Sequence, residues 1–273
     1  MDYKKFHLKR LKNELLNRNK LSDSSSSDYE YLNVVRSAIN NSEAYKTFRS
    51  NPGYKDILEH VGEDLANAYF ENLCKHLTNK EIFNYCSAIK NIGNPELISI
   101  NNSSINPTSL RYLNVAIDIK NRFPNICFEN VIEIGAGYGG QALILDKFFK
   151  IKNYYFIDLP DVNLLIEKFL NDHSVNFDAH FATIDSIESN NNYDLIISNY
   201  AFSELPKKMQ LVAINKIINK SQMGYMLVNN FHKISFRYLS QKKYSKNIKN
   251  LKIHDEIPNS YLFNKLLTFK TNI

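Results

Sequence analysis

The chain has 273 residues, a net charge of +6 and 44% hydrophobic residues, including 17 Phe and 17 Tyr. That is enough apolar surface to bury one large core or two modest ones, and it excludes global disorder. The charge is too mild to indicate nucleic acid, no apolar run is long enough to cross a bilayer, and the polar start MDYKKFHLKRLKNELLNRNK is not a secretory signal.

Residues 3–20 place Phe6, Leu8, Leu11, Leu15 and Leu16 among Lys and Arg, the pattern of a basic amphipathic helix that docks on the fold or touches a membrane surface. Residues 22–28 (SDSSSSD) have nothing to bury and read as a flexible linker. From Tyr29 to about Leu77 the spacing predicts helices, with a break at Pro52-Gly53. A further helix over Asn79–Ile89 ends at Gly93-Asn94-Pro95. Ser103 to Thr108 marks a boundary, so residues 1–106 form a helical N-terminal region and 107–273 a second domain. Pro107 suits the first turn of the helix that opens that domain. Cys74, Cys86 and Cys127 are scattered, without C-x-x-C or zinc spacing, and read as reduced core thiols of a cytoplasmic protein.

The organising stretch runs from Val131 to Val162. A buried strand (Val131–Ile134) is followed by Gly135, Gly137, Gly139 and Gly140, an apolar helical segment, and a second strand, Tyr154–Ile157, that ends on Asp158. Strand, glycine turn, helix, strand and acid make a nucleotide-binding βαβ unit. Its glycines fit two patterns. Gly135, Gly137 and Gly140 satisfy G-x-G-x-x-G of dinucleotide sites; Glu133, Gly135, Gly137 and Gly139 satisfy E-x-G-x-G-x-G of class I S-adenosylmethionine (SAM) methyltransferases. A carboxylate at Glu133 opposes a pyrophosphate and suits a sulfonium and an ammonium, which favours the methyl donor over NAD(P).

Alternation continues with a helix over Asn163–Leu170 and strands at Val175–Ala182, Tyr193–Ser198 and Gly224–Val228, with a helix over Lys207–Asn219 between the last two. Leu251–Ile257 and Leu262–Phe269 read as two strands joined by a short turn at Pro258-Asn259-Ser260. A terminal hairpin fits the Rossmann-like, mostly parallel seven-stranded methyltransferase sheet better than a dinucleotide domain.

Seven stretches carry a resemblance: NPGYKDILEHV (51–61), INPTSLRYLNVAIDIKNRF (105–123), VIEIGAGYGGQALIL (131–145), FIDLPDV (156–162), DLIISNYAFSELP (194–206), GYMLVNN (224–230) and EIPNSYLFNKLL (256–267). With them the chain resembles a family of sugar O-methyltransferases that decorate bacterial polysaccharides. SNYAFSEL and E-I-P-x-S-x-x-x-N are its more particular signatures. The resemblance implies SAM as cofactor, S-adenosylhomocysteine as product and a sugar or glycan hydroxyl as acceptor.

On this reading Asp158, followed by Leu159, accepts from the ribose hydroxyls, and Asp185 reaches the adenine. Glu133 supports the methionine end through Gly135, Gly137 and Gly139. Tyr138 packs at the sulfonium side, Gln141 and Asn199 add polar contacts, and Arg111 pairs with the donor's carboxylate. A sugar hydroxyl needs a base or a metal to take its proton; His232, then Glu204, with His254 near the hairpin, are the candidates. No metal-ligand spacing supports a divalent ion.

Asn199-Tyr200-Ala201-Phe202 lacks both prolines of the N-P-P-[FY] motif of amino-group methyltransferases, which disfavours methylation of nucleic acid. Residues 233–252 carry seven basic side chains and no acid. They form either a solvated helix face or a recruiting surface for an anionic, nucleotide-linked or lipid-linked sugar, with peripheral membrane contact as the extreme case. An NAD(P)-dependent oxidoreductase and a catalytically silent scaffold subunit are the rival readings.

Overall fold

The computed structural model describes residues 29–188, 191–229, 238–261 and 263–271. The amphipathic segment 3–20, the linker 22–28 and His232 lie outside the described residues.

The described residues open with five α-helices: α1 (Tyr29–Asn40), α2 (Ser42–Thr47), α3 (Pro52–Leu58), α4 (Glu63–Leu73) and α5 (Asn79–Cys86). The break expected at Pro52-Gly53 falls just before it: α2 ends at Thr47, a 3-10 turn covers Phe48–Ser50, and Asn51 is extended. Pro52 begins α3, where its missing N–H costs nothing, and the Asn51 side chain caps the turn by accepting from Gly53. A second interruption falls between Leu58 and Glu63, with Gly62 as the next N-cap. A two-stranded antiparallel hairpin, β1 (Ile98–Ile100) and β2 (Ser103–Ile105), follows. It was not expected from the sequence, because Asn101 and Asn102 supply the positive φ values of its turn (49° and 61°) without any glycine.

Helix α6 (Pro107–Arg122) is buried on nearly every side. It lies between the N-terminal helices and the main sheet, so it has no polar outer stripe to display. Then come β3 (Asn130–Ile134), α7 (Gly140–Phe148), β4 (Asn153–Ile157), α8 (Pro160–Asn171), β5 (Asp178–Ala182), β6 (Tyr193–Asn199), α9 (Ala201–Glu204), α10 (Lys207–Lys216), β7 (Ser221–Val228), α11 (Gln241–Asn247), β8 (Lys252–Asp255) and β9 (Lys265–Lys270).

The seven-stranded sheet has the order β5-β4-β3-β6-β7-β9-β8. The pairs from β5 through β7 are parallel, whereas β9 is antiparallel to both β7 and β8. So β9 alone runs against the rest. This is the class I methyltransferase sheet, with a helical region before it. The joint between β8 and β9 is longer than the short turn expected, because residues 256–261, 263 and 264 belong to a hydrogen-bonded loop over α6.

One face of the sheet carries α6, α7 and α8, and its core runs unbroken into Tyr31, Val35, Tyr54 and Leu73 of the N-terminal helices. The division at residue 106 is therefore not a division of the core. The other face packs Ala213 and Ile214 of α10 and Tyr244 and Ile248 beside α11. Of the three thiols expected in the core only Cys86 is buried; Cys74 and Cys127 are exposed. Among the described residues no helix is long and apolar enough to cross a membrane.

Candidate functional site

The strand order reverses between β4 and β6, on either side of β3. A crevice forms beyond the carboxyl ends of strands at such a switch point. The glycine turn lines it. Gly135, Gly137 and Gly139 all have positive φ (76°, 63° and 87°), which a side chain would make costly. Gly135 has a second reason: a Cβ there would overlap the Ala201 Cβ, so the turn after β6 rests directly on the glycine turn. Above Gly137 lies the Leu58 side chain from α3, 3.1 Å from where a Cβ would stand. The N-terminal helices roof the glycine loop.

Asp158 ends β4, opposite the turn. Its Oδ2 accepts from the Gly137 N–H at 3.2 Å and its Oδ1 from the Leu159 N–H at 2.8 Å. Burial pushes its carboxyl up to about 6, against the pull of these amides. The Ala136 amide acts on the same carboxylate, and the three backbone donors leave part of its accepting capacity for a further donor. Leu159 is the N-cap of α8 and packs on the core.

Glu133 is 1% exposed. It accepts from the Tyr154 hydroxyl at 2.6 Å, and burial, reinforced by the Asp158 charge, pushes its carboxyl up to about 8. Gln141, in the first turn of α7, donates to the Tyr112 carbonyl at 3.1 Å and accepts from Asn199 Nδ2 at 3.1 Å. Thus Gln141 and Asn199 meet. The Asn199 Oδ1 is buried and has no partner. Arg111 is 4% exposed and donates to the Leu58 carbonyl at 3.5 Å, which places it under the roof beside the glycine loop. Asp185 is exposed, in the turn after β5 on the same rim.

Three candidates stand apart from this arrangement. Tyr138, expected at the sulfonium side, faces the opposite way. Its fully buried ring meets Phe48, Tyr112 and Phe169, and its hydroxyl accepts from Arg49 Nη2 at 3.0 Å. His254 is also misplaced for a base at the rim. Its Nε2 is 2.8 Å from Thr268 Oγ1, and it lies near the Asp118–Arg122 pair on the late turns of α6. The cause is the strand's pleat, which turns His254 beneath α6. Glu204 accepts from Asn229 Nδ2 at 2.8 Å and so ties the turn after β6 to the end of β7.

Two clusters bring together residues that the sequence pattern does not single out as a set. In the first, Arg49 Nε meets Glu59 Oε1 at 2.5 Å with both side chains buried, Glu59 Oε2 accepts from Thr108 and Asn106, and Arg49 reaches Tyr138. This network locks the N-terminal helices to the glycine loop. In the second, Tyr200 donates to Glu256, and Ser260 bonds both. Tyr200 and Glu256 come from the two most particular sequence signatures, SNYAFSEL and E-I-P-x-S-x-x-x-N, and stand among the rim positions from which His232 and Glu204 are the preferred bases. Among the described residues no cluster of three or more His, Cys, Asp or Glu is placed to hold a metal ion.

No family model matches the chain, and no curated protein matches it. Solved structures do. One is an S-adenosylmethionine-dependent methyltransferase from Clostridium acetobutylicum ATCC 824, at 13% identity and TM-score 0.46 over 58% of this chain and 89% of that one. Another is the N-methyltransferase NodS from Bradyrhizobium japonicum WM9 in complex with S-adenosyl-L-homocysteine, at 13% identity and TM-score 0.46 over 61% of this chain and 88% of that one. The CcbJ methyltransferase from Streptomyces caelestis aligns at 7% identity and TM-score 0.46, over 59% of this chain and 90% of that one.

Proposed function

We propose that the protein is a SAM-dependent O-methyltransferase acting on a sugar hydroxyl of a glycan or glycan precursor. The observation that carries the cofactor is Asp158, a carboxylate at the end of β4 steered by the Gly137, Leu159 and Ala136 amides with accepting capacity to spare. A vicinal diol such as a ribose fits that disposition. The partnerless Asn199 Oδ1, buried between the glycine turn and β6, suits an ammonium or amide donor. The buried Glu133 behind the turn, held neutral by burial, ionises beside a cationic group and so favours an ammonium-bearing ligand there.

When bound, SAM supplies an electrophilic methyl group on a sulfonium. The chain's own residues do the rest. Asp158 holds the ribose, Asp185 reaches toward the base, and Arg111 meets the methionine carboxylate. Leu58 and the N-terminal helices act as a lid that keeps water from the glycine loop. The hydroxyl acceptor and its sugar rest on the sequence resemblance. The exposed Lys242, Lys243, Lys246 and Lys249 offer an anionic carrier a surface. Lys243 sits so close to Lys207 that its ammonium is pushed below its ordinary range.

Isothermal titration with S-adenosylhomocysteine and with NADH tests the cofactor: the first binds and the second does not. Tight NADH binding with silence toward the methyl-donor product refutes the proposal. Mass spectrometry of host glycans with and without the gene then reads the acceptor, as the gain of one methyl group on a defined sugar.

A further inference from the structure

The loop between β8 and β9 holds a carboxylate whose surroundings are unusual. Glu256 is 4% exposed, yet its partners are the Tyr200 hydroxyl, the Ser260 hydroxyl at 2.6 Å, the Ser260 N–H at 3.1 Å and the Asn264 side chain. Among the described residues no Lys, Arg or His pairs with it. A buried acid without a cation costs stability, which marks it as a functional candidate. Burial accordingly raises its affinity for a proton, against the pull of these donors. Among the described residues Tyr225 on β7, which is tied to Asp118 of α6, is a further titratable group that feels its charge.

Tyr200 is equally unusual. Its backbone has φ 73° and ψ −31°, a strained conformation for a bulky residue. The turn is fixed from both sides: the Tyr200 N–H donates to the Leu227 carbonyl at 2.9 Å, and the Ser203 hydroxyl donates to the Tyr200 carbonyl at 2.7 Å. The strain places the residue where its two neighbours both touch the cofactor crevice. Asn199 bonds Gln141, and Ala201 presses on Gly135. From there the Tyr200 hydroxyl reaches Glu256 and, at 3.0 Å, Ser260. Asn264 donates to the same Ser260 at 2.9 Å, and its Oδ1 is buried without a partner, an acceptor left for a ligand's hydroxyl.

We propose that Tyr200 is a catalytic residue that takes the proton of the acceptor hydroxyl and passes its own proton to Glu256, with Ser260 and Asn264 holding the pair in place. The inference rests on the O-methyltransferase reading above and names its proton path. The acceptor oxygen forms its bond to the methyl carbon as the carbon–sulfur bond breaks, and that electron pair stays on sulfur. The acceptor's proton moves to Tyr200 Oη while the Tyr200 proton moves to Glu256 Oε1. Glu256 ends as a neutral acid and returns its proton to water. A tyrosine alone is a weak base near neutral pH; a carboxylate behind it removes the need for a free phenolate.

The test uses the full chain, S-adenosylhomocysteine as probe, and the variants Tyr200→Phe and Glu256→Gln, with thermal unfolding as the check on folding. All three proteins bind the probe within about threefold of one another. Failure of the unmodified protein to bind sinks the cofactor reading, a result distinct from failure of the relay. In a crystal structure with the probe, the Tyr200 hydroxyl lies within roughly 8 Å of its sulfur, room for one acceptor oxygen and the methyl group, with only solvent between. A longer distance or an intervening side chain overturns the relay whatever the acceptor is. In protein carrying carbon-13 at tyrosine Cζ, the Tyr200 signal, identified by its loss in Tyr200→Phe, titrates with Glu256 and is flat in Glu256→Gln. A flat signal in the unmodified protein overturns the pairing. With methyl glycosides as acceptors, both variants lower kcat by about 100-fold or more and leave KM for SAM within threefold. Retention of kcat by Tyr200→Phe also overturns it.

Discussion

Replacing Glu133 by Gln tests the electrostatics of the glycine turn directly. The carboxyl is buried, accepts from Tyr154 and is pushed up to about 8 from an ordinary 4.5. The unfolded chain releases this proton near 4.5, whereas the folded chain keeps it to about 8. Between those values the folded state binds more protons, so stability falls as pH rises. A shift of this size corresponds to ~5 kcal/mol once the window is crossed, and ~3 kcal/mol at pH 7. Gln keeps the shape and an acceptor for Tyr154 but never ionises. Urea unfolding of both proteins at pH 5, 6.5 and 8 should show the variant gaining on the parent by roughly 1 kcal/mol per pH unit, since titrations of groups that do not interact with Glu133 cancel in the difference. Parallel profiles would refute a Glu133 held neutral by burial. The same charge logic reaches binding: a ligand that brings an ammonium to the turn draws the proton off Glu133. Titration of S-adenosylhomocysteine in buffers of different ionisation enthalpy then shows proton release near pH 7 that is absent from Glu133→Gln.

Asp158→Asn keeps one accepting oxygen but loses the charge, and with it two charge-assisted contacts to a ribose. S-adenosylhomocysteine binding should weaken by about 100-fold or more, read by calorimetry, with an unchanged circular dichroism spectrum. Arg49→Met leaves Glu59 buried without its cation, a loss of about 3–5 kcal/mol that lowers Tm by roughly 6–15 °C in scanning calorimetry. An unchanged Tm would mean that the N-terminal helices are held by apolar packing alone.

The βαβ unit was legible in the sequence because its constraints are local. Gly135 must have no Cβ because Ala201 touches it, and Asp158 must follow β4 directly because the Gly137 amide reaches it there. Each requirement leaves a residue type at a fixed spacing. Tyr138 shows where spacing stops being informative. Within a glycine turn there is no periodicity to say which side a residue faces, and the ring turns toward Arg49 instead of the crevice. The hairpin at Asn101-Asn102 was hidden for a related reason, since asparagine tolerates positive φ without announcing a turn as glycine does. Partners distant in sequence, such as Arg49 with Glu59 and Asn106, leave no pattern at all.

The two signatures converge because β6 and β9 both flank β7: the turn after β6 and the loop before β9 emerge on the same rim. Tyr200 and Glu256 are 56 positions apart in the chain, yet the strand order leaves them no other place to meet. The N-terminal helices complete the same rim from above through Leu58. Their attachment runs through Tyr138, a residue of the glycine turn itself, by way of Arg49. Loosening that attachment, as Arg49→Met does, should therefore disturb the roof and the glycine loop together. A lid that merely rested on a finished site would leave the loop unchanged.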